Sequence, residues 1–438
     1  MPLMPKSRGR KKSKKGTRRR GPSPLSPLPS SVPHPAPPIS ELVEIVMRGD
    51  DALSEEDPFV VEMWASQMLG TFYKLPLPFQ VRDEFERSLE ASLLEAIDES
   101  EGENRLAILR ALAAVAPAPI GPAAQARAVI LSEEGVADPP WAHEIGRPEF
   151  VDAWMSEDPF GDQRGYFARF RYPGRAPHTV MGLYDVNLGG IVKDSFAAYT
   201  KRDLRSVPTR EEMSYREIDP EAMAIEILAG IGTGDIYIDN DWTEDFRKTR
   251  ALLAVRMSLL VDEEPRVLSA PDPVSDESRA ELIEEFTRSE HATGLEAEDP
   301  ILHHIMVFRC DYSDGDPLRW SPIAVELFMV DFLPRKATLD AIEIRNLPTV
   351  LKAWVEFALV KRGLERRWVD ETQAAVDRWT TEFRKEVTNP DSFGPAKAIG
   401  QAMMADGIDI NDRRSVDGWM EEFNRRPSEE RGEFPRDR

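Results

Sequence analysis

The chain has almost no cysteine and little histidine. One of its 438 residues is a cysteine, Cys310, which excludes an internal disulfide, a cysteine-rich zinc site and an iron–sulfur cluster held by one chain. Its six histidines are spread from His34 to His304, too thinly to indicate a metal site. We therefore expect no metal and no cofactor, and the cysteine usage favours a reducing compartment, the cytoplasm.

Long apolar segments are also missing. The longest uncharged stretch after residue 40 covers residues 111–126, and its 16 residues include three prolines. Such a stretch is too short and too interrupted to span a bilayer. The basic N-terminus is followed by a proline-rich segment, residues 21–31, where a secretory signal has an apolar helix. We expect no membrane partner and no export.

Motifs that identify a reaction are absent as well. The sequence contains no phosphate-binding Gly-x-x-x-x-Gly-Lys-Ser/Thr loop, no Gly-x-Ser-x-Gly elbow and no His-Glu-x-x-His zinc helix. Kinase and deaminase signatures are not found either. Function must therefore be argued from charge and from local patterns.

Acidic residues are missing from residues 1–40, which we call the tail. The tail holds ten Lys and Arg residues, whereas residues 41–438, the body, hold 46 bases against 78 acids, a net charge of −32. Eight prolines between Pro22 and Pro38 and few large apolar side chains predict that the tail is disordered. Its cations are Lys6, Arg8, Arg10, Lys11, Lys12, Lys14, Lys15, Arg18, Arg19 and Arg20.

A polycation of this kind binds nucleic acid weakly and without sequence preference, because it releases counterions from the phosphates. The negative body disfavours such binding elsewhere in the chain. Two other interpretations stay open: the tail keeps the protein soluble, or it lies on its own acidic body, where the short tether gives it a high effective concentration.

Apolar periodicity predicts a mainly α (α+β) fold, a multi-helix body with a small β-hairpin or sheet in its central region. Asp57-Pro58, Asp219-Pro220 and Ser321-Pro322 are typical helix starts, and the helix from Ser321 should end before Pro334. The predicted divisions are the tail 1–40, a helical unit 41–132, a central α+β unit 133–262, a linker 263–278, a helical unit 279–426 and a disordered end 427–438.

The central unit should contain a hairpin over residues 166–186. Aromatic and charged residues alternate before Pro173-Gly174, and a second extended run follows this turn. A helix should begin near residues 241–244, where Asp241 and Glu244 resemble a capping box.

The main candidate site is the loop after this hairpin, with Asp185, Asn187, Gly189, Gly190 and Lys193. We expect a strand to end here and a helix to begin with Lys193 in its first turn. Asp185 and Asn187 then suit a cation, and the helix N–H groups with Lys193 suit an anion. Alternatively, the glycines only turn the chain and Asn187 caps the helix. His178, at the start of the second strand, is expected to face solvent.

Two weaker candidates are an acidic group and a histidine pair. The acidic group is explained equally by solvated or helix-capping side chains, and it comprises Asp235, Asp239, Asp241, Glu244 and Asp245. His303 and His304 are adjacent, so on a helix they point about 100° apart and cannot chelate one ion together. One of them could still join a nearby acid, namely Asp311, Asp314 or Asp316. Cys310 lies in an apolar run and is expected to be an inert thiol.

Four segments of the C-terminal third resemble conserved hypothetical proteins of actinomycetes. They are Phe328-Met-Val-Asp-Phe-Leu-Pro-Arg-Lys, Leu347-Pro-Thr-Val-Leu-Lys-Ala-Trp-Val, Gly394-Pro-Ala-Lys and Met404-Ala-Asp-Gly-Ile-Asp. The resemblance implies a helical fold and carries no assigned activity.

These patterns leave the function unknown and two hypotheses open. The first is a non-enzymatic cytoplasmic binding protein that has a protein partner and touches nucleic acid through the tail. The alternative is a divergent metal-assisted hydrolase that uses the Asp185 and Asn187 loop.

Overall fold

The computed structural model describes residues 51–72, 88, 91–99, 104–200, 213–236, 242–262, 274–295, 299–409 and 412–425. The predicted tail and the predicted disordered end lie outside these residues. The chain divides into two compact units: unit 1 takes residues 1–158 and 163–269, and unit 2 takes residues 159–162 and 270–438. The divisions predicted from the sequence stay predictions.

The described residues include thirteen α-helices with defined ends and one five-stranded antiparallel sheet, which lies in the central region. The predicted mainly helical α+β class is thereby confirmed. None of the helices described here is both long and apolar enough to cross a membrane.

The described part of unit 1 begins with a short 3₁₀ turn, Asp51–Ser54, and helix α1, Pro58–Phe72. Helix α1 starts where the sequence predicts, because an Asp57 carboxylate oxygen accepts the Phe59 N–H at 3.1 Å. Residues 91–99 are also helical. Helices α2, Arg105–Val115, and α3, Ile120–Glu133, complete this apolar group of helices.

The sheet follows, in the order β4-β3-β2-β1-β5. The predicted hairpin corresponds to β2 and β3, and Gly174 provides its turn with φ of 72°. The other three strands extend this hairpin on both sides. The strands are β1, Glu149–Glu157; β2, Gln163–Arg171; β3, His178–Asp185; β4, Ile191–Tyr199; and β5, Ser214–Glu217.

Helices α4, Pro220–Ile236, and α5, Glu244–Ser258, cover one face of the sheet. A Cβ atom on Gly182 in β3 would lie 3.3 Å from a Leu253 methyl and 3.4 Å from an Ile227 methyl. Both helices therefore approach the middle of the sheet closely. On the opposite face, the rings of Trp154 and Phe167 stack in parallel at 5.2 Å.

The start of α4 is confirmed and the predicted cap of α5 is wrong. Asp219 accepts the Ala222 N–H at 2.9 Å just before α4. At α5 the capping side chain is Thr243, whose hydroxyl accepts the Phe246 N–H at 3.0 Å. Asp241, the predicted cap, lies outside the described residues.

Unit 2 is helical in its described part. Ser321 caps the predicted helix, since its hydroxyl accepts the Ala324 N–H at 3.0 Å. That helix does not end before Pro334: a π-helical segment, Leu327–Phe332, leads directly into Leu333–Lys336. Pro334 stands in the first turn of this last segment, a position that tolerates proline.

The α-helices of unit 2 are α6, Asp276–Arg288; α7, Pro300–Asp311; α8, Pro322–Glu326; α9, Leu333–Lys336; α10, Ala341–Lys361; α11, Arg366–Glu386; α12, Pro395–Ala405; and α13, Arg413–Arg425. Trp320 and Trp354 are fully buried in their core, and both indoles donate to the Pro317 carbonyl. The first residues of α6 fall inside the predicted linker.

Candidate functional site

The candidate loop is the tight turn of a second hairpin. Gly189 N donates to the Val186 carbonyl at 3.2 Å and Gly190 N donates to the Asp185 carbonyl at 3.1 Å. Both glycines have positive φ, near 80°, a conformation that glycine adopts without strain. The helix predicted after Gly190 is wrong, because the chain continues as β4 and Lys193 lies on that strand.

Asp185 and Lys193 come together as an ion pair. The Asp185 side chain is 8% exposed, and one of its carboxylate oxygens accepts a hydrogen bond from the Lys193 ammonium. The same oxygen lies 3.4 Å from the Gln163 amide nitrogen, and the other accepts the Leu188 N–H at 3.2 Å. A cation that binds to Asp185 would have to displace Lys193. The predicted anion site is not formed, because no helix begins after Gly190. Asn187 lies within the turn.

Close packing against Tyr184 also explains one of the glycines. A Cβ atom at Gly190 would lie 2.3 Å from the Tyr184 hydroxyl oxygen. The glycine pair thus serves the turn and this contact, so the structural interpretation of the loop accounts for both residues.

A polar cluster that sequence reasoning missed lies at the same end of the sheet. Glu226 of α4 accepts the Tyr166 hydroxyl and one Arg164 nitrogen, and Arg164 also donates to Glu157 at 2.8 Å. Burial and the nearby Glu226 raise the pKa of Tyr166 above its ordinary value, so the phenol stays a donor. The 60-residue separation of Tyr166 and Glu226 leaves no local signal.

Two members of the predicted acidic group, Asp235 and Glu244, form intramolecular ion pairs. Asp235 pairs with Arg250, whose guanidinium lies 5.6 Å above the Trp242 ring. Glu244 pairs with Lys248 one turn along α5, at 2.7 Å. Asp239 and Asp241 lie outside the described residues.

The two histidines of α7 have different neighbours, and His303 lies near enough to Asp311 to help Arg279 lower the pKa of that carboxyl. His304 faces Glu343 of α10, with 3.9 Å between Nε2 and the nearest carboxylate oxygen. Asp311 pairs with Arg279. Burial raises the pKa of the Cys310 thiol, which weakens it as a nucleophile.

Asp314 lies between two buried arginines, Arg309 and Arg319, and Arg319 also reaches Asp162 at 2.5 Å. These charges therefore satisfy one another inside unit 2. Across the described parts of the chain, no three His, Cys, Asp or Glu side chains are placed to share a metal ion.

The expectation that His178 faces solvent is wrong. Its side chain is fully buried, and its ring stacks on Phe59 at 4.2 Å with an interplanar angle of 22°. Arg256 of α5 donates from Nε to the imidazole Nε2 at 3.4 Å. His178 begins β3 and Asp185 ends it, so the two lie at opposite ends of the strand.

His178 belongs to a group that we call the buried cluster: Glu62, Tyr172, His178 and Arg256. Glu62 pairs with Arg256, and both side chains are fully buried. Glu62 also accepts the Tyr172 hydroxyl at 2.7 Å and the Gly146 N–H at 3.0 Å. Burial, together with the positive charge of Arg256, lowers the pKa of His178 to about 3.

Unit 2 holds one further unusual cation, Lys397. Its ammonium donates to the Pro334 carbonyl at 2.9 Å and lies 4.1 Å from the centre of the Phe393 ring. Burial lowers the pKa of Lys397 to about 8. Carbonyl acceptors at helix ends and an aromatic face are ordinary structural partners of a lysine, so this arrangement serves packing.

In the parts of the chain that the structure describes, the charged side chains of the candidate sites are therefore engaged mainly with one another. The resemblance of the C-terminal third to actinomycete proteins stays a prediction. No family model matches the chain, and no curated protein or solved structure matches it.

Proposed function

We propose that this protein is a non-enzymatic cytoplasmic binding protein whose tail contacts nucleic acid weakly and without sequence preference. The observation that carries the proposal is the separation of charge along the chain. All ten cations of the tail stand without an acid among them, ahead of a body with a net charge of −32. Positive charge in that density attracts phosphate backbones, and the body repels them.

The state of the candidate loop also supports a binding protein over an enzyme. A metal-assisted hydrolase needs an open coordination position and a carboxylate that is free to hold the ion. Asp185 is instead neutralised by Lys193 and hydrogen-bonded to its own turn. The hydrolase alternative would require that pair to separate.

Fluorescence anisotropy with a labelled single-stranded RNA tests the proposal on the full chain and on a variant that lacks residues 1–20. The full chain should bind at low salt, and deletion should abolish binding because it removes all ten cations. Proteins that make six to ten phosphate contacts lose roughly 10³ to 10⁵ in affinity between about 50 and 200 mM salt.

A matched control keeps the length of the tail and replaces its ten cations with glutamine. This variant should behave like the deletion. Equal binding by the deletion variant, or binding that is insensitive to salt, would show that the tail is not the nucleic-acid contact.

A further inference from the structure

The buried cluster fixes which nitrogen of His178 carries the proton. Because Arg256 donates from Nε to the imidazole Nε2, that nitrogen must offer a lone pair, and the neutral ring carries its proton on Nδ1. Nδ1 of His178 and Nη1 of Arg256 are both buried without a hydrogen-bond partner. The cluster thus already holds two donors more than it can satisfy.

Charged and titratable groups reach His178 from each neighbouring element. Arg256 comes from α5, Glu62 from α1, Tyr172 from the end of β2 and Tyr199 from β4, with 6.0 and 6.2 Å between the imidazole and the two phenol rings. Glu62 is the carboxylate of this group and is already shared by Arg256 and Tyr172.

Carboxylates farther out do not compensate for a charge on His178. Asp57 accepts the Tyr199 hydroxyl at 2.6 Å and lies 3.6 Å from Arg175. Arg175 in turn donates to Glu144 at 3.1 Å. An added proton on Nε2 of His178 would therefore face the Nε–H of Arg256, so two positive donors would meet in a dry site.

Both contacts of the cluster with α1 lie in its first two turns. Phe59 stacks on the imidazole, and Glu62 holds Arg256. The C-terminal half of α1 has a separate anchor: the Ser66 hydroxyl donates to the Lys248 carbonyl at 2.7 Å and accepts the Leu252 N–H at 3.2 Å. Both halves of α1 also bury side chains in the same apolar core, so what separates them is their polar contacts.

We propose that the buried cluster is a proton-sensitive contact for the N-terminal half of α1, which moves away from β3 and α5 when His178 takes up a proton. In the open form the imidazole reaches water and recovers its ordinary affinity for a proton. The open form is therefore favoured as the pH falls below the ordinary value of 6.5. The rest of α1 stays attached through Ser66.

Hydrogen exchange of the full chain between about pH 5 and 7.5 tests this, a window above the ordinary range of carboxylates. After correction for intrinsic exchange rates, the opening constant of amides 62–65 should rise below pH 6.5, with a slope that approaches tenfold per pH unit. Relative to pH 7.5, the increase should reach about 30-fold at pH 5. The opening constants of amides 69–72, which lie beyond the Ser66 anchor, should not change with pH in this way.

Two variants, His178→Gln and His178→Phe, should lose this pH dependence because neither side chain titrates. Glutamine keeps an acceptor for Arg256 and phenylalanine keeps the ring, so either variant suffices if the other fails to fold. His143→Gln is the matched control, because the His143 side chain is 75% exposed. This variant should keep the pH dependence of the opening constant of amides 62–65. An unchanged slope in the His178 variants, or an equal slope in amides throughout unit 1, would overturn the proposal.

Discussion

At the scale of single residues, many of the buried and half-buried charges in the described part of the protein are held in ion pairs. Asp185 is nearly buried and has Lys193 beside it, whereas the Lys193 side chain is 27% exposed and can reach water. The pair is therefore asymmetric. Loss of the lysine leaves a carboxylate in a site with little solvent, but loss of the acid leaves an ammonium that water can hold.

We predict that Lys193→Met destabilises the protein more than Asp185→Asn does. Removal of one partner of a buried ion pair lowers the free energy of unfolding by about 3 to 5 kcal/mol. Because this pair is partly exposed, we expect Lys193→Met to lower it by about 1 to 3 kcal/mol. The Asp185→Asn cost should be about 1 kcal/mol, since asparagine still accepts the Leu188 N–H. Urea unfolding of both variants gives the comparison.

The same variants decide between the two functional hypotheses. If Asp185 holds no metal, Mg²⁺, Mn²⁺, Ca²⁺ and Zn²⁺ should leave the melting temperature of the native chain unchanged. A rise in melting temperature that Asp185→Asn abolishes would favour the hydrolase alternative.

At the scale of elements, the contact between α4 and the sheet depends on a small residue. A Cβ atom at Gly230 would lie 2.9 Å from the Tyr184 ring, so the glycine lets the helix approach β3. Two residues further along the same helix, a Cβ at Gly232 would meet no atom within 4 Å. The two glycines therefore serve different purposes.

Alanine at these two positions should give opposite effects on stability. Gly230→Ala should lower the free energy of unfolding by about 1 to 3 kcal/mol, because the tyrosine ring must move in a packed core. Gly232→Ala should raise the free energy of unfolding by about 0.5 to 1 kcal/mol, because alanine lowers the entropy of the unfolded chain and favours the helix. Equal effects in chemical denaturation would contradict the packing that we describe for α4.

Elements defined by neighbouring residues were predictable. Helix starts at Asp57-Pro58, Asp219-Pro220 and Ser321-Pro322 rest on a side chain that accepts an N–H two or three residues ahead. The hairpin of β2 and β3 has its turn between alternating strands. These signals are local, so one stretch of sequence contains both partners of each interaction.

Elements defined by distant partners were not predictable. Strand β4 carries Lys193, Asp194 and Ser195 in succession, so it lacks the alternation of polar and apolar residues that indicates a strand, and the sequence predicts a helix after the two glycines instead. In the fold, Thr243 donates to Asp194, and Ser195 shares a hydrogen bond with Thr249 at 2.6 Å. Both partners lie about fifty residues away, on α5 and at its cap. The burial of His178 likewise depends on Phe59 and Arg256, which no local pattern relates to it.

At the scale of the whole molecule, the dominant electrostatic feature is the excess of negative charge in the body. A net charge of −32 on residues 41–438 makes the compact state repel itself, and the ten cations of the tail reduce the total to −22. Dissolved salt screens such repulsion, with a Debye length of about 10 Å at 0.1 M. Salt also weakens exposed ion pairs, but these contribute little to stability individually.

We therefore predict that sodium chloride raises the melting temperature, and that the rise is larger when residues 1–20 are deleted. Deletion removes all ten cations and leaves the net charge at −32, so more repulsion remains for salt to screen. The ten-glutamine variant has the same charge at full length and should match the deletion. If the tail lies on the body, its loss should also lower the melting temperature at low salt. Calorimetry of each variant over a series of sodium chloride concentrations tests these expectations. A melting temperature that falls with salt in every variant would mean that the loss of ion pairs outweighs the screening of repulsion between like charges.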